Sequence, residues 1–352
     1  MTGTGTPDTA WYDGGSGPFD IANPDELAGL AELVNAGNNF SGKTITLIAN
    51  LDMSKYGAGK TFNGGKGWVP IGIGYSFKGI FDGNGKTIKE LSINNAGSDA
   101  LGLFGTIDSG SSVHNLTLKD ISITGRSFIG GVAEQNGGTV EGCSVSGNVE
   151  GSEYVGGIAG MNSGTITACS VSADVEGKYV GGITARNGSN GDSAMVRNCY
   201  VSGSITVTAG NGGGIAGESY GGTVEYCYST GSVTVYTGIA SGIMANFGNS
   251  NVTVQHCVAL NSAITGNSSY IKRIVGWYSA GGTMTNNYGN VAVMILDGSP
   301  YTPVDNADDQ DGADVASGAG GYNGQGFWEA LGFDFTTVWK MSGDANSLPV
   351  FK

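Results

Sequence analysis

The chain is poor in histidine, proline and positive charge: of 352 residues, two are His, seven are Pro and 16 are Lys or Arg. A zinc peptidase needs two histidines one helical turn apart in H-E-x-x-H. His114, in "VHNLTL", and His256, in "QHCVAL", lie far apart in the chain, which excludes that chemistry. The 16 basic residues face 30 acidic ones, for a formal net charge of −14. Such a surface repels phosphate backbones and anionic lipid, so nucleic acid and membrane surfaces are not expected partners. Long apolar runs are also missing. The longest, "VAVMIL" at 291–296, falls far short of the roughly 18 residues of a spanning helix, so no membrane insertion is expected. The opening "MTGTGTPDTAWYDGG" has neither a basic segment nor an apolar core, and does not read as a secretory signal. The expectation is a cytoplasmic chain, or one from which a leader has been removed.

What is abundant is glycine, 65 residues, with 39 % hydrophobic and only 13 % charged residues. That is too apolar for disorder and too glycine-rich for an ordinary helical enzyme. Glycine mixed with Val, Ile, Thr and Ser points to many short strands joined by tight turns, an all-β fold.

A repeat dominates the chain. The pattern apolar-x-x-apolar-x-apolar recurs at Ile88/Leu91/Ile93, Val113/Leu116/Leu118, Val140/Cys143/Val145, Ile166/Cys169/Val171 and Val196/Cys199/Val201. Weaker copies centre on Cys227, Cys257 and Asn287, and the central positions are spaced by 25, 27, 26, 30, 28, 30 and 30 residues. A second apolar position follows each copy (Ile123, Val149, Val175, Ile205, Val233, Ile264). A third sits beside a glycine (Gly102, Gly131, Gly157, Gly182, Gly214, Gly242), until Arg273 takes that place. Three apolar segments, each too short for a helix, predict three strands per repeat. A unit of this size cannot bury its apolar face alone and must stack on copies of itself, as a parallel β-solenoid of seven to eight coils. A propeller blade would need about 40 residues or more. Glycines are expected at corners, where positive φ or close backbone approach is required.

The ends differ from the middle. Residues 23–37, "NPDELAGLAELVNAG", read as an amphipathic helix with Asn23 as N-cap, Pro24 at the first position and Gly37 as the stop. Leu27, Leu30, Ala31 and Val34 form one stripe, suited to cover an open strand edge. The expected organisation is an N-terminal extension at 1–22, the capping helix and lead-in strands at 23–75 and the repeats at 76–296. An acidic loop with an aromatic-rich C-terminal cap follows at 297–352. "KTITLIANLDM" (43–53) and "WVPIG" (68–72) are the lead-in strands.

"GLFG" at 102–105, its echoes "GGIAG" at 156–160 and 213–217, and the lead-in "FKGIFDGNGKTIKELSI" at 77–93 resemble the GLUG-type repeats of bacterial surface proteins. "GKTITLIANLDM" and "LGFDFTTVWKM" resemble the flanks of such regions. The resemblance covers nearly the whole chain. It implies a right-handed parallel β-helix of the pectin-lyase-like kind, found in adhesin-like proteins and in the non-catalytic N-terminal part of IgA1-specific metallopeptidases. It also implies export to the cell surface or beyond. An activity does not follow from the fold.

Catalytic constellations are sparse. Polysaccharide hydrolases and lyases need acids gathered on one face. The positions two before each repeat centre run Lys89, His114, Glu141, Thr167, Arg197, Glu225, Gln255 and Thr285, with no two carboxylates adjacent. In the acidic run "DNADDQDGAD" at 305–314, taking Gly312 as the sixth residue of a calcium loop leaves Ala307 at the first ligand and Gly318 at the last. That register fails, and a solvated loop is expected. No metal or cofactor is expected. Phe128, Tyr154 and Tyr179 precede a glycine corner in successive repeats and read as a structural stack. The candidate ligand-binding residues are Tyr200, Tyr226, Tyr228 and Tyr288, expected to point outward where they could stack sugar rings. Leu91, Leu116, Cys143, Cys169, Cys199, Cys227 and Cys257 share one inward position, so the cysteines are expected as a ladder of buried free thiols.

These readings converge on a non-enzymatic extracellular repeat domain, adhesin-like or a stalk, with host glycoprotein, glycan or matrix as the expected partner. The alternatives are a carbohydrate-active enzyme on the same fold, or the spacer of a larger surface peptidase.

Overall fold

A computed structural model describes all residues except 190, 192, 249, 250, 267–269, 280, 293, 297–301, 345 and 346, and the side chains of 294–296. The coil that contains Cys143 shows how the sequence becomes structure. It runs as Thr139–Glu141, Ser144–Gly151, Tyr154–Gly156 and Ala159–Asn162, four segments where the apolar pattern suggests three. The split arises because the long second segment bends before the chain reaches the glycine corner. Each segment pairs in parallel with its copies in the coils before and after. Through the first segments, Phe19, Ile45, Phe81, Val113, Val140, Ile166, Val196, Val224, Val254 and Met284 stand in successive register, ten rungs. At about 4.8 Å per rung the rod is about 43 Å long. The protein is a parallel β-helix. Two rungs more than the repeat count come from Phe19–Ile21 and Thr44–Leu47, which lack the glycine corner by which the repeats are recognised.

The interior is one continuous apolar core from Ile21 to Val275. Its corner glycines have ordinary negative φ; what they meet is close approach. A Cβ on Gly182 would lie 2.1 Å from the Gly214 carbonyl oxygen of the next coil, and one on Gly157 2.3 Å from that of Gly182. Positive φ is found instead at the residue before the cysteine position: Asn115, Gly142, Ala168, Asn198, Tyr226, His256 and Asn286, at 51–62°.

Helix α1, Pro24–Asn35, forms as its sequence dictates. The Asn23 side chain accepts from Glu26 N at 3.0 Å and Glu26 Oε2 accepts from Ala22 N at 2.6 Å, a reciprocal cap. Leu27, Leu30, Ala31 and Val34 are buried against the first coils. "WVPIG" forms no strand. Pro70 offers no donor, and only Ile71 bridges to Phe104.

The far end of the rod is closed by the acidic run, which is not a solvated loop. Ala313–Val315 adds a last rung beside Tyr288–Asn290, and Gln310 O accepts from Ile274 N and Val275 N at 2.8 and 3.0 Å. Arg273 occupies the corner that is glycine in earlier coils. No full coil follows it, so its side chain turns inward, buried, and donates to Asp314 Oδ1 at 2.6 Å and Asp311 O at 2.9 Å.

The C-terminal segment packs elsewhere, alongside the rod. Helix α2, Gln325–Ala330, and an antiparallel hairpin, Trp339–Met341 with Pro349–Phe351, bury Trp328, Phe333 and Trp339 in a second core. Among the described residues no helix is long and apolar enough to cross a membrane.

Candidate functional site

The cysteines all lie inside, buried and free. Each follows a left-handed residue, whose turn directs the carbonyl two positions before the cysteine into the corner. Each thiol donates to that carbonyl: Cys199 Sγ to Arg197 O at 3.1 Å, Cys169 to Thr167 O and Cys227 to Glu225 O at 3.2 Å. Asn287 takes the cysteine's place one coil on and bonds to the preceding coil instead, with Nδ2 donating to Val254 O at 2.9 Å and Oδ1 accepting from Cys257 N at 3.0 Å. Burial pushes the Cys169 and Cys227 thiols up, away from the reactive thiolate. Leu116 pairs in this row but Leu91 does not: Ser92 and Ile93 align with Ser122 and Ile123, which places Leu91 with Ile121. A bulge between Asp82 and Lys86 shifts the pattern by one segment, so two phases of the repeat look alike in sequence. The same bulge puts Asp82, not Lys89, opposite His114 in the outward row.

Tyr200, Tyr228 and Tyr288 do share one outward row, but the C-terminal segment lies over it. Tyr228 is only 2 % exposed. Its ring stacks on Tyr200 at 5.2 Å and meets Trp328 and Trp339, and its hydroxyl donates to Pro349 O. Tyr288 meets Phe327 edge-on at 5.3 Å, and Tyr226 stacks on His256 at 4.9 Å with Phe333 beside it. The expectation of sugar-stacking rings is corrected here, because those ring faces hold a segment of the same chain. A crevice of about 410 Å³ remains between Tyr200, Tyr228, Leu348 and Val350.

Aromatic and hydrogen-bonding groups are open to solvent on another face. The third and fourth segments of each coil meet at a concave corner that runs along the rod. One wall is the register row Tyr154, Tyr179, Asn211 and Ile239. The other is Met161, Arg186, Glu218, Asn246 and Trp277. The floor is of small residues, since a Cβ on Gly160 would meet the Phe128 backbone at 2.7 Å and one on Gly276 the Ile239 side chain at 2.2 Å. Phe128, Tyr154 and Tyr179 stack at 4.9 and 4.8 Å, as the repeat predicts. Across the corner, Arg186 Nη2 donates to Tyr154 Oη at 2.7 Å, its guanidinium lies 4.6 Å from that ring's centre, and Asn211 Nδ2 donates to Glu218 Oε1 at 2.7 Å. Glu134, on the floor, is pushed up by burial. At the last coil, Tyr270 and Trp277 are 48 % and 37 % exposed. Sequence reading missed this strip because its walls are seven residues apart in the chain and meet only when the corner folds.

It also missed an internal ladder of asparagines, Asn136, Asn162 and Asn187, all buried. The signal was there, as Asn recurring before Gly or Ser-Gly at the repeat period, but that chemistry reads as turn.

Glu150 and Glu176 do sit on adjacent rungs, with Asp174 in the same shallow crevice of about 330 Å³. Among the described residues no group of three or more His, Cys, Asp or Glu is placed to hold a metal ion.

Residues 208–234, one coil of the rod, match the family described as the GLUG motif. The chain carries the GLUG motif. Over 149 residues, 41 % of this chain, it is 37 % identical to halomucin of Haloquadratum walsbyi, where the match spans 2 % of that protein. Over 146 residues it is 32 % identical to a Gly-rich protein of Evansella cellulosilytica, spanning 16 % of it. The chain therefore spans a small part of the curated relatives it matches. In structure it is similar to a candidate immunoglobulin A1 protease from Bacteroides ovatus, with a TM-score of 0.63 and 22 % identity over 99 % of this chain and 95 % of that one. It is also similar to an IgA1 protease, with a TM-score of 0.59 and 16 % identity over 81 % of this chain and 23 % of that one. At these identities the likeness establishes a shared fold.

Proposed function

We propose that the chain is a non-enzymatic repeat domain of a cell-surface or extracellular protein, an adhesin-like binding or stalk module for glycoprotein or glycan. The observation that carries this reading is the rod itself: ten rungs, sealed by α1 at one end and by Arg273 with the acidic run at the other. Such a construction gives a long lateral surface with few loose ends. The GLUG motif and the names of the similar proteins, halomucin and IgA1 protease, agree with a place at the cell surface. The test is direct binding of the purified chain to immobilised mucin, immunoglobulin, matrix protein and a glycan panel. Saturable binding to at least one class supports the reading; no binding to any, with a folded chain, counts against it.

The crevice of Glu150, Asp174 and Glu176 favours a second reading, a carbohydrate-active enzyme on the same fold. Release of reducing ends from polysaccharide that is lost in Glu150→Gln and Glu176→Gln would establish it. A spacer role within a larger surface peptidase would show in the complete reading frame, as a metallopeptidase segment beyond Lys352.

A further inference from the structure

We infer that the concave corner is a binding strip for an extended, uncharged glycan chain lying along the rod axis, with one end against Trp277. This inference rests on the binding-module reading above and names its site and ligand class. Trp277 is 37 % exposed at the last coil. Among the described residues its ring stacks on no other aromatic ring, while the rings of Tyr154 and Tyr179 are stacked within the wall. A flat apolar ring beside planar polar groups suits a pyranose, which has an apolar face and a rim of hydroxyls.

The polar groups are set for that rim. Arg186 is held in place by Tyr154 and by the buried Glu218 before any ligand arrives, so little ordering remains to be done on binding. Asn246, half-buried, stands between Glu218 and Trp277 in register and adds an amide to the same wall. The floor is closed by the chain itself, since a Cβ on Gly217 would meet the Val180 carbonyl oxygen at 2.8 Å and one on Gly276 the Ile239 side chain at 2.2 Å, so a ligand lies across the rims of the two walls. Rungs repeat at about 4.8 Å, close to the advance of one sugar in an extended chain, so equivalent contacts recur sugar by sugar.

Charge sets the class. The chain carries −14, so sulfated or uronic chains would be repelled by the protein's overall field.

The test uses the whole chain with neutral glucan and chitin hexamers, and with polygalacturonate and heparin as charged comparators. Trp68, Trp328 and Trp339 are buried and Trp11 is half-buried against Phe40, so acrylamide quenching of intrinsic fluorescence is read in a Trp11→Phe background, where it reports mainly on Trp277. A neutral hexamer should protect that ring, and Trp277→Ala should weaken binding by about tenfold, with Trp277→Phe recovering most of it and circular dichroism unchanged. Hexamer binding that Trp277→Ala leaves intact, or a preference for the charged chains, would overturn the strip. If mucin or immunoglobulin binds and neutral hexamers do not, the strip fails while the binding-module reading stands; if nothing binds, both fail.

Discussion

Asn162 Nδ2 donates to Asn187 Oδ1 across 2.8 Å, and Asn136 Nδ2 donates to Asn162 Oδ1 across the same distance. The ladder runs inside the rod at the turn that closes each coil. Asn162 also donates to Gly164 O and Met195 O, both at 3.2 Å, so one side chain ties three successive coils. Asn162→Ala leaves these acceptors and the Asn136 amide without their partner, at about 1 to 3 kcal/mol for an unsatisfied buried group. The urea midpoint should fall accordingly; a change below about 0.5 kcal/mol would show that the ladder is incidental.

The corner glycines should be intolerant for a reason unrelated to φ. Gly182→Ala places a methyl 2.1 Å from the Gly214 carbonyl oxygen and forces adjacent coils apart. A loss of several kcal/mol, or no soluble protein, is expected. Gly326→Ala, in α2 with nothing within 4 Å of its Cβ, should be neutral or stabilising by about 0.4 to 1 kcal/mol. Thermal unfolding of the pair separates steric exclusion from a general need for glycine.

Thiol burial gives a pH dependence with a definite sign. Burial raises the Cys169 and Cys227 thiols, and at Cys143 the Cys169 thiol and then burial act in the same direction. The folded chain thus keeps protons that the unfolded chain releases above about pH 8.5. Stability is fully present below that pH and declines as pH rises beyond it. Urea midpoints measured from pH 7 to 10 should fall, and less steeply in Cys169→Ala/Cys227→Ala. A thiol reagent at pH 8 should modify none of the five cysteines in the native chain and all five in denaturant.

The C-terminal segment, a lateral cap over the tyrosine row and not over the end of the rod, should come away without the rod. Trp328 is fully buried between Tyr228 and Phe333, and Trp328→Ala should loosen the cap by about 3 to 5 kcal/mol. Trypsin should then cut after Lys340, while circular dichroism of the rod persists. Loss of both together would mean that the cap and the coils fold as one unit. Tyr228→Phe, which removes only the donation to Pro349 O, should cost about 1 kcal/mol.

The repeat was legible because stacking repeats a chemical demand at a fixed interval: Cys143, Cys169, Cys199, Cys227 and Cys257 mark the same corner in five coils. Leu91 was misplaced because the bulge at 83–85 is invisible to a pattern in which two segments of one coil look alike. The tyrosine row was placed correctly, and its availability was not. Outwardness follows from the alternation of a strand, whereas cover over Tyr228 comes from Pro349, 121 residues away. The acidic run was read as solvated for the same reason, since its partner Arg273 is 38 to 41 residues distant.

By itself the sequence determined the class of fold, the period, the inward cysteine row, the capping helix and the corner glycines. Each of these is a local or nearest-neighbour requirement, renewed in every coil. Only the tertiary structure decided which outward surfaces stay open. The concave strip from Tyr154 to Trp277 exists because two segments fold toward each other, and the tyrosine row is closed because the end of the chain returns to it. Both depend on contacts between residues that no period relates.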